Sequence, residues 1–210
     1  RAGSFADGAV FAFYPNKQIT TGEGGAVLTD DVETAELCRS WRNQGRGPEG
    51  GWLEHERLGY NYRLSDINCA LGIAQLERVD ELLNKREGVA RLYNERLQGI
   101  TEIEIPYTSP DIKRSWFVYV VKLDNSFDQE DRDKILEGLR RQGIECSNYF
   151  GPIHLQPFYQ RIFGYKKGDF PVTERVASRT IALPFFGNLA AQEIDYVCNH
   201  VHKMVKTKGR

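Results

Sequence analysis

Lys17 has the residue type and neighbours most suited to covalent chemistry. It follows an apolar, aromatic run, Ala9-Val-Phe-Ala-Phe-Tyr14, and precedes the loop Gln18-Ile-Thr-Thr-Gly-Glu-Gly-Gly25. A lysine at the end of a buried strand can be desolvated, and desolvation favours the neutral, nucleophilic amine. A Schiff-base lysine requires this. The glycines let backbone approach a ligand or take positive φ. The lysine precedes the glycines, so the pattern is not a Walker A loop. The same residues also suit a surface lysine at a hairpin end.

Two further segments hold candidate groups. In Gly59-Tyr-Asn-Tyr-Arg-Leu-Ser-Asp66, Asn61 can both donate and accept, and Arg63 offers a planar fork for phosphate or carboxylate. A helix cap with a solvated arginine is the plainer account. In Gly151-Pro-Ile-His-Leu-Gln-Pro157, His154 lies between two prolines. It is either a pH-sensitive substrate contact or a packed, hydrogen-bonded loop histidine.

The elements that must position these groups follow from patterning. Residues 9–14 and 26–29 read as strands, the first of them buried, and their short Gly-rich link suggests antiparallel neighbours. Asp31 caps a helix that runs to Trp41. Residues 43–51, rich in Gly, read as a flexible loop, and the part at 45–51 suits a lid or, by default, is simply mobile. Ser65 or Asp66 caps a helix with Ile67, Ala70, Leu71 and Ala74 on one face. A long amphipathic helix runs from Val79 to Leu97 and ends at Gly99. Composition changes near residue 100, which suggests two domains, 1–100 and 101–210. In the second, strands at 116–123 and 180–184, an extended stretch at 143–150 and helices at 129–142 and 190–205 make a small α+β or α/β layer.

The 210 residues carry 28 Lys plus Arg against 29 Asp plus Glu, a net charge of -1. That balance lacks the basic footprint of a nucleic-acid binder. No apolar run approaches the ~18 residues of a membrane helix, and no secretory leader is visible. Cys38, Cys69, Cys146 and Cys198 have no CxxC or metal-like spacing, which suggests reduced thiols in a cytoplasmic protein. His200 and His202 point to different helix faces, so no metal site is expected there. The basic tail of Lys203, Lys206, Lys208 and Arg210 reads as solvated. The chain opens at Arg1 and runs at once into a strand, as the later part of a longer polypeptide would.

Together these segments resemble the DegT/DnrJ/EryC1/StrS family of pyridoxal-phosphate (PLP) sugar aminotransferases. The run Phe11 to Gly25 is similar to the family's lysine motif. Gly59-Tyr-Asn-Tyr-Arg63, Ser65-Asp66 and Ala74-Gln-Leu76 are similar to its next signature. Pro152-Ile-His-Leu-Gln-Pro157, Gly168-Asp-Phe-Pro171 and Leu183-Pro184 are similar to its C-terminal ones. The resemblance implies the α/β PLP-dependent transferase fold type I (aspartate-aminotransferase-like). Residues 1–100 would be the later part of the large, mostly parallel-sheet domain, and 101–210 the small C-terminal α/β domain.

The resemblance further implies that Lys17 attaches the cofactor and shuttles the proton, while Asn61 reaches the phosphate of the PLP in the partner subunit of a homodimer. Arg63 and His154 would border the substrate. The position five before the lysine, commonly Ser in the family, is Ala12, so that hydroxyl contact is lost. The implied reaction is ping-pong transfer of an amino group from glutamate to a nucleotide-linked keto-sugar. A keto-cyclitol acceptor, or a non-catalytic regulatory relative, are the alternatives. Lys17 itself argues against the family's dehydratase branch, where a His replaces it.

Overall fold

The computed structural model describes residues 1–49 and 51–207. Gly50, Lys208 and Arg210, which belong to the expected loop and tail, lie outside them. The chain forms two compact units, Arg1–Asp80 and Glu81–Arg210.

In the first unit, β1 (Ala9–Ala12) and β2 (Gly25–Leu28) pair antiparallel, with Ala9 opposite Leu28 and Ala12 opposite Gly25. Helix α1 (Val32–Arg42) starts where the Asp31 carboxylate accepts from the Thr34 amide at 3.0 Å. Helix α2 (Asp66–Glu77) is capped by Ser65, not Asp66. The expected buried strand is not buried here. Val10 is 79% exposed, and Phe11, Val27, Leu28, Ile67 and Leu71 are exposed too. The apolar pattern is real, but a two-stranded ribbon with two helices has too little surface to enclose a core.

The second unit holds the core. Strands β3 (Ile103–Glu104), β4 (Tyr119–Leu123) and β5 (Thr180–Leu183) form an antiparallel sheet in the order β3-β4-β5. This makes it an α+β layer, the first of the two forms the patterning allowed. Glu104 sits opposite Lys122, and their side chains pair at 2.6 Å. Alternation along β4 sends Tyr119, Val121 and Leu123 inward. Over them pack Val89, Ala90, Tyr93 and Leu97 of α3 (Val79–Leu97), Ile135, Leu136 and Leu139 of α4 (Gln129–Arg141), and Ile194, Val197, Cys198, Val201 and Val205 of the last helix (Ala191–Lys206). The second unit therefore begins at Glu81, because α3 supplies its core. The composition change near residue 100 marks the end of α3 at Gly99, whose φ is +86°.

Aromatic rings organise this core. Tyr119 stacks on Tyr93 at 4.7 Å and on Trp116 at 5.7 Å. The Tyr93 hydroxyl donates to the Pro184 carbonyl at 2.8 Å, and the Tyr119 hydroxyl to Asn94 Oδ1 at 2.6 Å. Burial holds both phenols protonated, well above their usual range. All four cysteines are free thiols. Cys146 and Cys198 are buried, and burial pushes the Cys198 thiol up to about 12. In the tail, Lys206 Nζ donates to Glu102 Oε1 at 2.6 Å.

Two short helices were not evident from patterning. They are α5 (Pro157–Phe163) and α6 (Pro171–Ala177), and the final helix is α7. Each opens with Pro at its first position, and α5 ends on Gly164 with φ +71°. A 3-10 turn, Ile153–Leu155, precedes α5.

Leu139 is fully buried at the centre of this core. Leu139→Ala is expected to cost about 2–5 kcal/mol of unfolding free energy, read from the urea midpoint. A cost below about 1 kcal/mol would contradict the packing described.

Candidate active site

Lys17 sits at the head of a loop closed by the backbone of Phe13. The Phe13 amide donates to the Gly24 carbonyl at 2.9 Å, and the Phe13 carbonyl accepts from the Thr21 amide at 3.0 Å. Thr20 Oγ1 donates to that same carbonyl at 3.0 Å and accepts from the Gly22 amide at 2.9 Å. Pro15 and Asn16 form a turn in which the Lys17 amide donates to the Tyr14 carbonyl at 3.0 Å. Lys17 is half-buried. The strand expected to shield it is itself exposed in this unit.

Helix α2 anchors the far side of the loop. Gln75 Oε1 accepts from the Thr20 amide at 3.4 Å, and Asn68 Nδ2 donates to the Glu23 carbonyl at 3.4 Å. Thr21 is buried, and its methyl lies so near Gly72 that a Cβ there would be 3.0 Å away. Gly24 has φ +152°, and a Cβ on it would collide with Thr21 Oγ1 and crowd Leu64 Cδ1 at 3.1 Å. The lysine loop is thus packed directly against the segment that follows Arg63. The Thr20-Thr21 and Ala74-Gln75-Leu76 runs hold three of these anchors, Thr20, Thr21 and Gln75, but residue types alone gave them no role.

Asn61 is pinned by its neighbours. The Tyr60 amide donates to the Trp41 carbonyl at 2.6 Å, the Tyr62 amide to the Arg42 carbonyl at 2.8 Å, and Asn61 forms an isolated bridge with Asn43. The Tyr60 and Tyr62 rings stack at 4.9 Å. The Asn61 side chain is exposed and makes no hydrogen bond among the described residues. Arg63 is also exposed and gives one donor, Nη1, to Asn43 Oδ1 at 3.1 Å. The expected flexible loop is fixed over its first part. Gly45 is buried, its amide donates to the Ser40 carbonyl at 2.8 Å, and its carbonyl accepts from the Glu56 and Arg57 amides at 2.9 and 3.2 Å.

Lys17, Asn61 and Arg63 therefore share the first unit, whereas His154 belongs to the second. His154 is buried, and its Nε2 meets Glu174 Oε1 at 2.9 Å. That carboxylate also accepts from the Gly168 amide at 2.8 Å and the Phe170 amide at 3.3 Å. Phe170 covers the imidazole at 4.7 Å. What His154 does here is tie the 3-10 turn to α6. Glu174 had no signal of its own in the sequence beyond its spacing from Gly168. The His154 hydrogen bond first, and the two amides after it, hold the Glu174 carboxyl below its ordinary value of 4.5.

A sequence model of the DegT/DnrJ/EryC1/StrS aminotransferase family matches residues 1–202. The chain belongs to this family. It is 33% identical to the spore coat polysaccharide biosynthesis protein SpsC of Bacillus subtilis, over 97% of this chain and 55% of that protein. It is 30% identical to GDP-perosamine synthase of Escherichia coli O157:H7, over 98% and 54% respectively. Among solved structures, Helicobacter pylori PseC, an aminotransferase involved in the biosynthesis of pseudoaminic acid, superposes with a TM-score of 0.88 at 29% identity, covering 99% of this chain and 55% of PseC. The chain thus has the PLP-dependent transferase fold type I, and spans about half the length of the curated relatives it matches. No helix among the described residues is long and apolar enough to cross a membrane.

Two outcomes test this geometry. Gly24→Ala must adopt a backbone that side chains avoid, and is expected to cost on the order of 1–3 kcal/mol, read as a lowered urea midpoint; an unchanged midpoint would contradict the loop packing. For Glu174, the lowered folded-state pKa stabilises the fold above the ordinary carboxylate value of 4.5. That contribution is lost as pH falls through the lowered value. Glu174→Gln is therefore expected to be less stable than the parent at pH 7, with the gap closing as pH falls below the ordinary carboxylate value of 4.5. A gap independent of pH would show that the carboxylate charge plays no part.

Proposed function

We propose that the protein to which this chain belongs is a PLP-dependent aminotransferase. It takes an amino group from glutamate and passes it, in a ping-pong cycle, to a keto-sugar linked to a nucleotide. The observation that carries this reading is the lysine loop: Lys17 stands on backbone fixed at Phe13 and at α2, in a chain matched to an aminotransferase family over residues 1–202. Bound PLP would supply an electron sink for charge on the substrate carbon.

The residues present fit that group. Lys17 offers a primary amine for the aldehyde. Asn61 offers an exposed amide, without a partner among the described residues, for a phosphate. Arg63 offers exposed guanidinium donors. Ala12 offers nothing, so the phosphate relies on other donors. In this reading Lys17 also carries the proton to and from the substrate carbon as general acid and base. Asn61 donates to the phosphate held by the partner subunit of a cytoplasmic homodimer with shared sites. Arg63 binds an anionic part of the substrate. His154 acts by positioning, since its ring is buried against Glu174. The first unit belongs to the large, cofactor-binding domain, and the second is the small domain.

The test is a visible spectrum of the whole protein with added PLP, before and after borohydride. The expected result is a band that borohydride removes, with the label mapped to Lys17. Lys17→Ala is expected to lose the band and reduce turnover below detection. A Lys17→Ala protein that kept its transamination rate would overturn the site.

A further inference from the structure

We propose that a cleft in the second unit is a binding site for a phosphate-type oxyanion, held by Arg132, Lys167 and Arg175. The cleft encloses about 390 Å³ between the start of α4, the turn before α5, and α6. The inference rests on this unit alone. It does not depend on the PLP reading, and none of the lining residues belongs to the segments carrying Lys17, Asn61 or Arg63.

Arg132 is the fixed element. It is 4% exposed, and Nη2 is not among the fully enclosed polar atoms. Its Nε donates to Asp133 Oδ1 at 2.6 Å and its Nη1 to the Ala177 carbonyl at 3.1 Å. Its Nη2 has no acceptor among the described residues. Two more cations line the same cleft, Lys167 and Arg175. Neither side chain makes an ion pair or hydrogen bond among the described residues. Asn148 adds an amide that is likewise without a partner.

Two carboxylates also line the cleft, and both are committed elsewhere. Asp128 caps α4, accepting from the Asp131 amide at 3.0 Å. Glu174 accepts from the Gly168 and Phe170 amides and meets His154. Gln129 and Asn148 bring both donor and acceptor atoms, but the lining charges left without a partner are cationic, those of Lys167 and Arg175, beside the spare donors of Arg132 Nη2. A tetrahedral oxyanion with several acceptor oxygens meets that demand, through charge-assisted hydrogen bonds. The source is either free phosphate or pyrophosphate, or the diphosphate of a nucleotide.

The Lys167 and Arg175 side chains are exposed and make no hydrogen bond or ion pair among the described residues, so replacing them spares the fold. The test is isothermal titration of the whole protein, loaded with PLP and then desalted, with pyrophosphate at matched ionic strength. UDP and GDP are titrated in parallel. Pyrophosphate is expected to bind, and to bind at least about tenfold more weakly to the Lys167→Gln/Arg175→Gln double variant. Asn61→Ala is expected to leave this binding unchanged. If the nucleoside diphosphates weaken in the same double variant, the source is a nucleotide. If only pyrophosphate weakens, it is the free anion. No binding, equal binding by the double variant, or loss in Asn61→Ala alone would overturn the proposal. Loss in Asn61→Ala would instead locate the anion at the residues assigned to the cofactor.

Discussion

The backbone of one residue, Phe13, closes the loop that presents Lys17. Its amide and carbonyl are both spent across that loop, on Gly24, on Thr21 and on the Thr20 hydroxyl. Closing a loop of this length costs chain entropy, and a flexible loop would leave the amine to wander. The structure offsets the cost with several hydrogen bonds that converge on one peptide unit. The remaining constraints support this closure. Gly24 must lack a side chain for Thr21 to reach Glu23, where its hydroxyl donates at 2.8 Å. Gln75 and Asn68 then hold the loop from α2.

The two units divide the labour differently. The second has a closed core in which stacked tyrosines satisfy their own hydroxyls, so it is stable through burial. Its loops between β4 and β5 are held by polar links. One carboxylate, Glu174, gathers His154 and two amides and so organises the chain from the 3-10 turn to α6. The first unit is the reverse. Its order is mostly hydrogen-bonded backbone, and its apolar side chains lie open.

Much of this was legible in the residues. The caps at Asp31 and Ser65, the antiparallel β1–β2 pair and the end of α3 at Gly99 follow from local chemistry, which needs no tertiary knowledge. Lys17 stands out in the sequence because a lysine between an aromatic strand and a Gly-rich loop is chemically unusual, and its role is the one proposed above. Burial was not legible in the first unit, because an apolar pattern reports what a face requires and not what covers it. The short helices α5 and α6 were hidden by their prolines, which read as breakers but serve as first residues. The compact units part at Asp80 and not near residue 100, because composition changes where a helix ends, whereas compactness follows where its apolar side chains pack. The partnership of His154 with Glu174, twenty residues apart, depends on a fold that neither residue announces.

The burial of two thiols has a practical consequence for spectroscopy. Thiolates are the species that alkylating reagents attack. Cys146 and Cys198 are enclosed, and burial holds both in the protonated form. Cys69 is exposed and lies beside Asn68, whose amide grips the carbonyl of Glu23. With Cys38, half-buried on α1, replaced by Ser, a maleimide dye or spin label would therefore settle at Cys69, on the helix that anchors the lysine loop. From there it would report movements of the loop that carries Lys17.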